Sequence, residues 1–246
     1  KSGIENKLVP AAGYRLEHVD VRGIRRSLSL SNVRALWLAA VSPYRAKRIL
    51  KEFRPDIVIG TGGYVSWPVV KAASMMGVPC ALHESNAIAG VAVRMLQDRV
   101  DRIYLNFEAT GKTLHSTERV LRVGNPLPSS FSCISREEAR GALGIDEKYS
   151  RVLLSYGGSM GAERVNEAVL QLMSDYTSKH PEVLHIHATG SIEWDAARSD
   201  FERRGLDRFE NLQLFEYIYD MPQRMAAADV IICRAGALTV SELAAS

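Results

Sequence analysis

The chain has 246 residues, 46% of them hydrophobic and 24% charged, with a formal net charge of +3. This is a globular composition, and it excludes disordered, collagen-like and disulfide-scaffold classes. No apolar run approaches the roughly 18 residues of a membrane-spanning helix, and three cysteines, Cys80, Cys133 and Cys233, without CxxC spacing fit free thiols in a reducing, cytoplasmic setting.

Charge is unevenly placed along the chain. Residues 15–54 hold ten basic and three acidic side chains, a local +7 that leaves the remainder at −4. Such a patch suits nucleic acid, a phosphate-bearing substrate, an anionic membrane or simply a solvated surface. Inside it, Leu30, Val33, Leu36, Trp37, Ala40, Val41 and Tyr44 recur at helical spacing and read as a core-facing stripe. Trp37 and Leu38, flanked by Arg22, Arg25, Arg26 and Arg34, also resemble an interfacial surface that docks on anionic lipid.

Beyond residue 55 short β-type runs alternate with helical stretches. DIVIG (56–60), VPCALH (78–83), DRIYL (101–105) and RVLRVG (119–124) predict buried strands, with helices near 66–76 and 89–98. The segment 123–135, with two prolines and four serines, marks a joint before a capped helix from Ser135 to Leu143. RVLLSY (151–156), VLHIHA (183–188), NLQLFE (211–216) and DVIIC (229–233) predict a second series, with helices near 163–177, 193–204 and 220–228. This alternation predicts an α/β fold of right-handed βαβ units, two parallel-sheet domains over 1–125 and 126–246 that face a cleft. The first residues carry no opening strand and the last stop inside a helix, so the chain is expected to be part of a longer protein, with both domains truncated.

Three strand-to-helix junctions carry the chemistry. In SYGGSMGAERVNEA, Gly157, Gly158 and Gly161 surround Ser159 before a helix, which places backbone N–H groups and a positive dipole end at one point, an anion site. The spacing is neither GxGxxG nor a P-loop. IGTGGYVSWP repeats the device with Gly62, Gly63 and Tyr64, where Ser66 and Pro68 read as helix-start residues. LHESN follows at the next strand end, where His83 beside Glu84 suits acid–base work or sugar hydroxyls, with Asn86 close by. CRAGALTVSELAA is the third junction, with Arg234 and Gly236 ahead of the helix and Glu242 expected in its first turn, either capping it or gripping ribose hydroxyls. His185 and His187 share a strand face but have no third ligand at metal spacing, and no Asp-x-Asp pair is present to hold a divalent ion.

GTGGYVSWPVV, LHESNAIAG, VGNP, SYGGSMGAERVNEAV and CRAGALTVSELAA, in that order and spacing, resemble the MurG family of glycosyltransferases over essentially the whole chain. The resemblance implies a GT-B fold of two Rossmann-like domains. It also implies inverting, metal-independent transfer of N-acetylglucosamine from UDP-N-acetylglucosamine to undecaprenyl-diphosphate-muramyl-pentapeptide, in peptidoglycan synthesis, with no cofactor. The setting it implies is peripheral, on the cytoplasmic face of the cell membrane, with no nucleic-acid partner.

By the same resemblance the donor contacts are Asn86, Ser159, Ile218, Ala237, Leu238, Thr239, Val240, Ser241 and Glu242, the last on the ribose. Gly62, Gly63 and Tyr64 with His83 and Glu84 fall on the acceptor side. The family's opening glycine-rich loop, with its candidate catalytic histidine, would precede Lys1, and a glutamine pair would follow Ser246. The chain as given is therefore expected to be impaired. Pro128 stands where the family usually has arginine, and Met160 where it usually has glutamine. The alternatives are a partner-dependent nucleotide- and membrane-binding half, or a GT-B transferase acting on another lipid.

Overall fold

The computed structural model describes residues 5–19, 30–115, 117–131 and 134–246, with side chains at all of these except 30–40. Cys133 and the arginine-flanked Trp37–Leu38 surface thus lie outside what is described. The chain divides into two compact units, Lys1–Asn125 and Pro126–Ser246.

The first unit opens with α1 (Glu5–Ala11) and the long α2 (Leu30–Phe53). Helix α2 ends where Arg54 takes a positive φ of 52° while its N–H still reaches Leu50 O at 2.8 Å. The next residue is Pro55, and a residue before proline is pushed out of the α region. Four parallel strands follow, β1 (Val58–Gly60), β2 (Cys80–Glu84), β3 (Arg102–Leu105) and β4 (Val120–Arg122), in spatial order β1-β2-β3-β4. They are linked by α3 (Gly63–Met75), α4 (Val91–Leu96) and α5 (Glu108–Gly111). Strand β2 is buried at nearly every position, as expected when helices cover both faces of a parallel sheet. Its Leu82 packs with Leu96, Ile103 and Leu105 in the core, each contributing about 1.5–3 kcal/mol by burial.

The second unit starts with α6 (Arg136–Ala142), whose Ser135 and Glu138 form a reciprocal capping box. Strands β5 (Arg151–Tyr156), β6 (Val183–Ala188), β7 (Leu212–Phe215) and β8 (Val230–Cys233) form a parallel sheet in the order β7-β6-β5-β8. The helices α7 (Glu163–Asp175), α8 (Trp194–Arg203), α9 (Met221–Ala227) and α10 (Ala237–Ala245) alternate with them. One apolar cluster joins Val169, Leu170 and Met173 of α7 to Phe201 of α8. A second joins Val152, Leu154, Ile186 and Met225. The sheet is therefore packed on both faces, the α/β class the alternation predicted. Asp229, at the entry to β8, binds the Val152 N–H at 2.7 Å and Arg140 at 2.5 Å, tying α6 to the sheet.

Two local expectations change. Helix α3 begins at Gly63, three residues before Ser66, so Ser66 and Pro68 lie inside it. Gly62, at φ 94°, makes the turn, and the Ser66 hydroxyl donates back to Gly62 O instead of capping the helix. Helix α10 has no acidic residue in its first turn, and Glu242 stands in the second, so it is not a cap.

Candidate functional site

In the second unit the strand ends of β5 and β8 and the start of α10 converge on a cavity of about 530 Å³, and Gly157 and Gly158 on its wall open the loop that leads to α7. Tyr156, Gly157 and Gly158 line one side, and Arg234, Gly236 and Thr239 the other. Such cavities, at the carboxyl ends of parallel strands, are where α/β folds bind ligands. Neither helix start carries a side-chain cap: Ala162 before α7 and Gly236 before α10 are both extended and cap nothing. The first-turn N–H groups of a helix have no intrahelical acceptor, and the dipole adds positive potential there. Arg234 adds a full charge, and no carboxylate among the described residues pairs with it. The lining thus has the chemistry that suits an anion.

The glycines answer to two different demands. A Cβ on Gly157 would lie 2.8 Å from Ala162 N, and one on Gly161 would lie 2.4 Å from Thr189 O, so both are excluded by the chain itself. Gly158, at φ 101°, faces open space and leaves room for a ligand. Ser159 is exposed at the tip of the turn, and its carbonyl is held by the Ser191 N–H at 3.2 Å. Met160 is exposed too, with its carbonyl bound by the Ile192 N–H at 3.3 Å.

Of the α10 residues singled out in the sequence, Leu238 and Val240 are exposed, whereas Ala237, Thr239, Ser241 and Glu242 are half-buried. Ser241 donates to Ala237 O within the helix. Burial pushes the Glu242 carboxyl above its ordinary range. Tyr156 is 6% exposed, and its hydroxyl lies beside Cys233 and Glu242 without a well-formed hydrogen bond. Burial, with the neighbouring thiol and carboxylate, drives the phenol well above its usual value. Ile218, 5% exposed, packs into the apolar cluster with Met225 and Phe131, so any surface it offers a ligand is chiefly backbone.

The first-unit residues also cluster at strand ends, because β1 pairs with β2 in register Gly60↔Leu82. Gly62 and Gly63 both have positive φ, and Tyr64 is exposed beside them at the start of α3. His83 Nε2 donates to the Gly124 carbonyl at 2.9 Å, which ties the end of β2 to the loop after β4. Glu84 is 3% exposed and fully engaged. Its Oε1 accepts from the Asn86 backbone and side-chain amides at 3.0 and 2.9 Å, and its Oε2 from the Gly90 N–H at 2.7 Å. The Asn86 carbonyl in turn accepts from Thr110. Glu84 therefore shapes the loop that presents Asn86.

His185 and His187 are fully buried in a hydrogen-bonded chain with Ser155, Thr177 and Asn166. Burial lowers their pKa values to about 3 and about 4, so both rings are neutral. Among the described residues no group of three metal-ligating side chains forms. Sequence reading passed over Tyr156, Asn166 and the turn at 189–192, and did not count Arg234 as a contact. The available signals were an asparagine on the apolar stripe of α7 and a Thr-Gly pair closing a strand.

Comparison with known proteins agrees with this architecture. The glycosyltransferase family 28 N-terminal domain matches residues 1–105 and its C-terminal domain residues 152–246. The UDP-N-acetylglucosamine–N-acetylmuramyl-(pentapeptide) pyrophosphoryl-undecaprenol N-acetylglucosamine transferase of Acetivibrio thermocellus is 39% identical over 243 residues, covering 99% of this chain and 64% of that protein. The crystal structure of MurG from Acinetobacter baumannii superposes with a TM-score of 0.65 at 27% identity, over 99% of this chain and 65% of that one. UDP-GlcNAc 2-epimerase from Neisseria meningitidis, at 13% identity and a TM-score of 0.62 over 98% of this chain and 70% of its own, shares the fold. The chain spans 64–66% of the length of these curated relatives. With both domains matched in chain order and two parallel-sheet units in place, the chain belongs to glycosyltransferase family 28 and has its GT-B fold.

Proposed function

We propose that the protein transfers N-acetylglucosamine from UDP-N-acetylglucosamine to a muramyl-pentapeptide carried on undecaprenyl diphosphate, converting lipid I to lipid II. The observation that carries this reading is the uncapped, positively poised cavity between β5 and β8, in a chain 39% identical to a transferase of that name. The UDP diphosphate sits against Gly157, Gly158 and Ser159, facing Arg234 and the start of α10. Glu242 accepts from the ribose hydroxyls, and the backbone around Ile218 meets the uracil.

An acceptor hydroxyl attacks the anomeric carbon from the face opposite the diphosphate, the C–O bond to UDP breaks, and negative charge develops on the leaving group. Fixed N–H dipoles and a guanidinium aimed at that charge stabilise the transition state more than the ground state. In the first unit, Gly62, Gly63 and Tyr64 with His83 and the Glu84–Asn86 loop receive the acceptor's diphosphate. With His83 donating to Gly124 O and Glu84 saturated, neither is given the role of base.

A lipid-linked acceptor places the first unit against a membrane. Ile88 in the loop before α4, with Val91 and Met95 on that helix, all exposed, supply apolar surface there, and Arg94 lies beside Met95. No helix among the described residues is long and apolar enough to cross a membrane. The proposed contact is peripheral, on the cytoplasmic face, where UDP-sugars are available.

The test is the conversion of lipid I to lipid II by the full-length protein with radiolabelled UDP-N-acetylglucosamine. Full-length protein that binds the nucleotide sugar but leaves lipid I unchanged, while using another lipid acceptor, would remove this reading and keep the donor site.

A further inference from the structure

The hydrogen atoms of the buried polar chain can be placed one by one. Thr189 O can only accept, so Asn166 must turn Nδ2 toward it, at 3.0 Å. Asn166 Oδ1 then faces His187 Nε2 at 3.1 Å, and that nitrogen carries the proton. A neutral imidazole has one N–H, so His187 Nδ1 is bare and accepts from the Ser155 hydroxyl at 2.8 Å, with the Ser155 carbonyl also 3.0 Å from it. Having given its proton away, Ser155 Oγ accepts from His185 Nε2–H at 2.9 Å. His185 Nδ1 is bare in turn and accepts from the Thr177 hydroxyl at 3.2 Å. Every bond points the same way, from Thr177 through the sheet to the Thr189 carbonyl.

That carbonyl belongs to the turn that braces the glycine loop. Gly190 and Gly161 are in backbone contact, with space for no side chain at either. Ser191 and Ile192 donate their N–H groups to Ser159 O and Met160 O. On the far side, the Thr189 and Gly190 N–H groups reach Phe215 O and Glu216 O, just before Ile218. The turn is thus clamped between the loop read here as the diphosphate site and the loop read as the uracil site.

We infer that His187, Asn166 and Ser155 are positioning residues: through Thr189 they fix the 189–192 turn and so hold the glycine loop in the shape that receives a diphosphate. This rests on the proposed nucleotide site, which supplies the ligand. A purely structural core network would stabilise the unit without distinguishing a diphosphate from a nucleoside.

Ser155→Ala tests the polarity directly. The residue-155 carbonyl lies 3.0 Å from His187 Nδ1. With the hydroxyl gone, His187 moves its proton to Nδ1 to donate there, and the Asn166 amide turns its oxygen toward Thr189 O, breaking the brace. The first readout is ring-nitrogen NMR of His187, expected as Nε2–H in the wild type and Nδ1–H in the variant. The second is exchange of the Ser191 and Ile192 amides, expected to quicken about tenfold with loss of the bracing bond. The third is affinity, expected to fall about tenfold for UDP and stay unchanged for uridine. Where Ser155→Ala fails to fold, Asn166→Leu, which is close in size and cannot donate to Thr189, carries the exchange and affinity readouts.

A wild-type His187 carrying its proton on Nδ1 would overturn the inference. So would a folded variant whose Ser191 and Ile192 exchange and UDP-to-uridine preference match the wild type. Wild-type protein that binds neither UDP nor pyrophosphate would refute the nucleotide reading instead, and the tautomer and exchange measurements would still decide the bracing chain.

Discussion

A Cβ placed on Gly190 would stand 2.0 Å from the backbone nitrogen of Gly161. Two loops that follow different strands touch there through bare backbone, and neither can move without the other. Gly190→Ala is expected to cost about 2–4 kcal/mol, by forcing the loops apart. Gly158→Ala meets open space and is expected to cost only about 1–2 kcal/mol for a left-handed alanine. Chemical denaturation of the two variants checks the order, and equal losses would mean that the contact is not tight.

Acid is expected to weaken the second unit through its two buried histidines. Their folded pKa values, about 3 and about 4, lie below the ordinary 6.5. Between those limits the unfolded chain binds more protons than the folded one. Stability is therefore full above pH 6.5 and falls as pH drops toward 4. Two such groups give a loss of roughly 4 kcal/mol from pH 6.5 to 4.5. Denaturant midpoints across that range measure it, and replacing both histidines by glutamine should flatten the slope whatever the variant's absolute stability.

Glu242 should trade stability against binding. Burial raises its carboxyl pKa, so charging it costs free energy in the folded state, and that cost appears as pH rises through the raised value. Glu242→Gln should be no less stable than wild type at neutral pH, yet about tenfold weaker for UDP through loss of a charged acceptor. A variant with reduced stability and unchanged affinity would move Glu242 out of the site.

Arg234→Ala should lower UDP affinity by about tenfold or more and leave uridine affinity unchanged, because a guanidinium acts on the phosphates alone. Equal effects on both ligands would place the arginine elsewhere.

Asp229→Ala strips the Val152 N–H, Arg140 and Arg136 of a shared partner. Leaving a buried N–H and a half-buried guanidinium unpaired should cost about 2–4 kcal/mol in thermal or denaturant unfolding.

Strands β5 and β6 lie where periodicity put them, at 151–156 and 183–188, because both are paired on two sides and their apolar runs end with the ladder. Strand β1 is shorter than its apolar run, since among the described residues it pairs with β2 alone and Ile57 stays outside the ladder and exposed. The glycine junctions were legible because glycine reports backbone geometry directly. Glu84 was not: a carboxylate beside a histidine reads the same in sequence whether it faces a ligand or, as here, folds back on the amides of Asn86 and Gly90. The link from His187 to Thr189 was equally hidden, since it joins residues on a strand, a helix and a turn that only the sheet register brings together.

The most direct measurement is titration calorimetry of UDP into the folded chain and into its Glu242→Gln and Arg234→Ala variants. The account predicts saturable binding by the parent, weakened about tenfold in each variant. A folded chain with no binding heat, or one whose affinity ignores both substitutions, would contradict a uridine diphosphate site between β5 and β8.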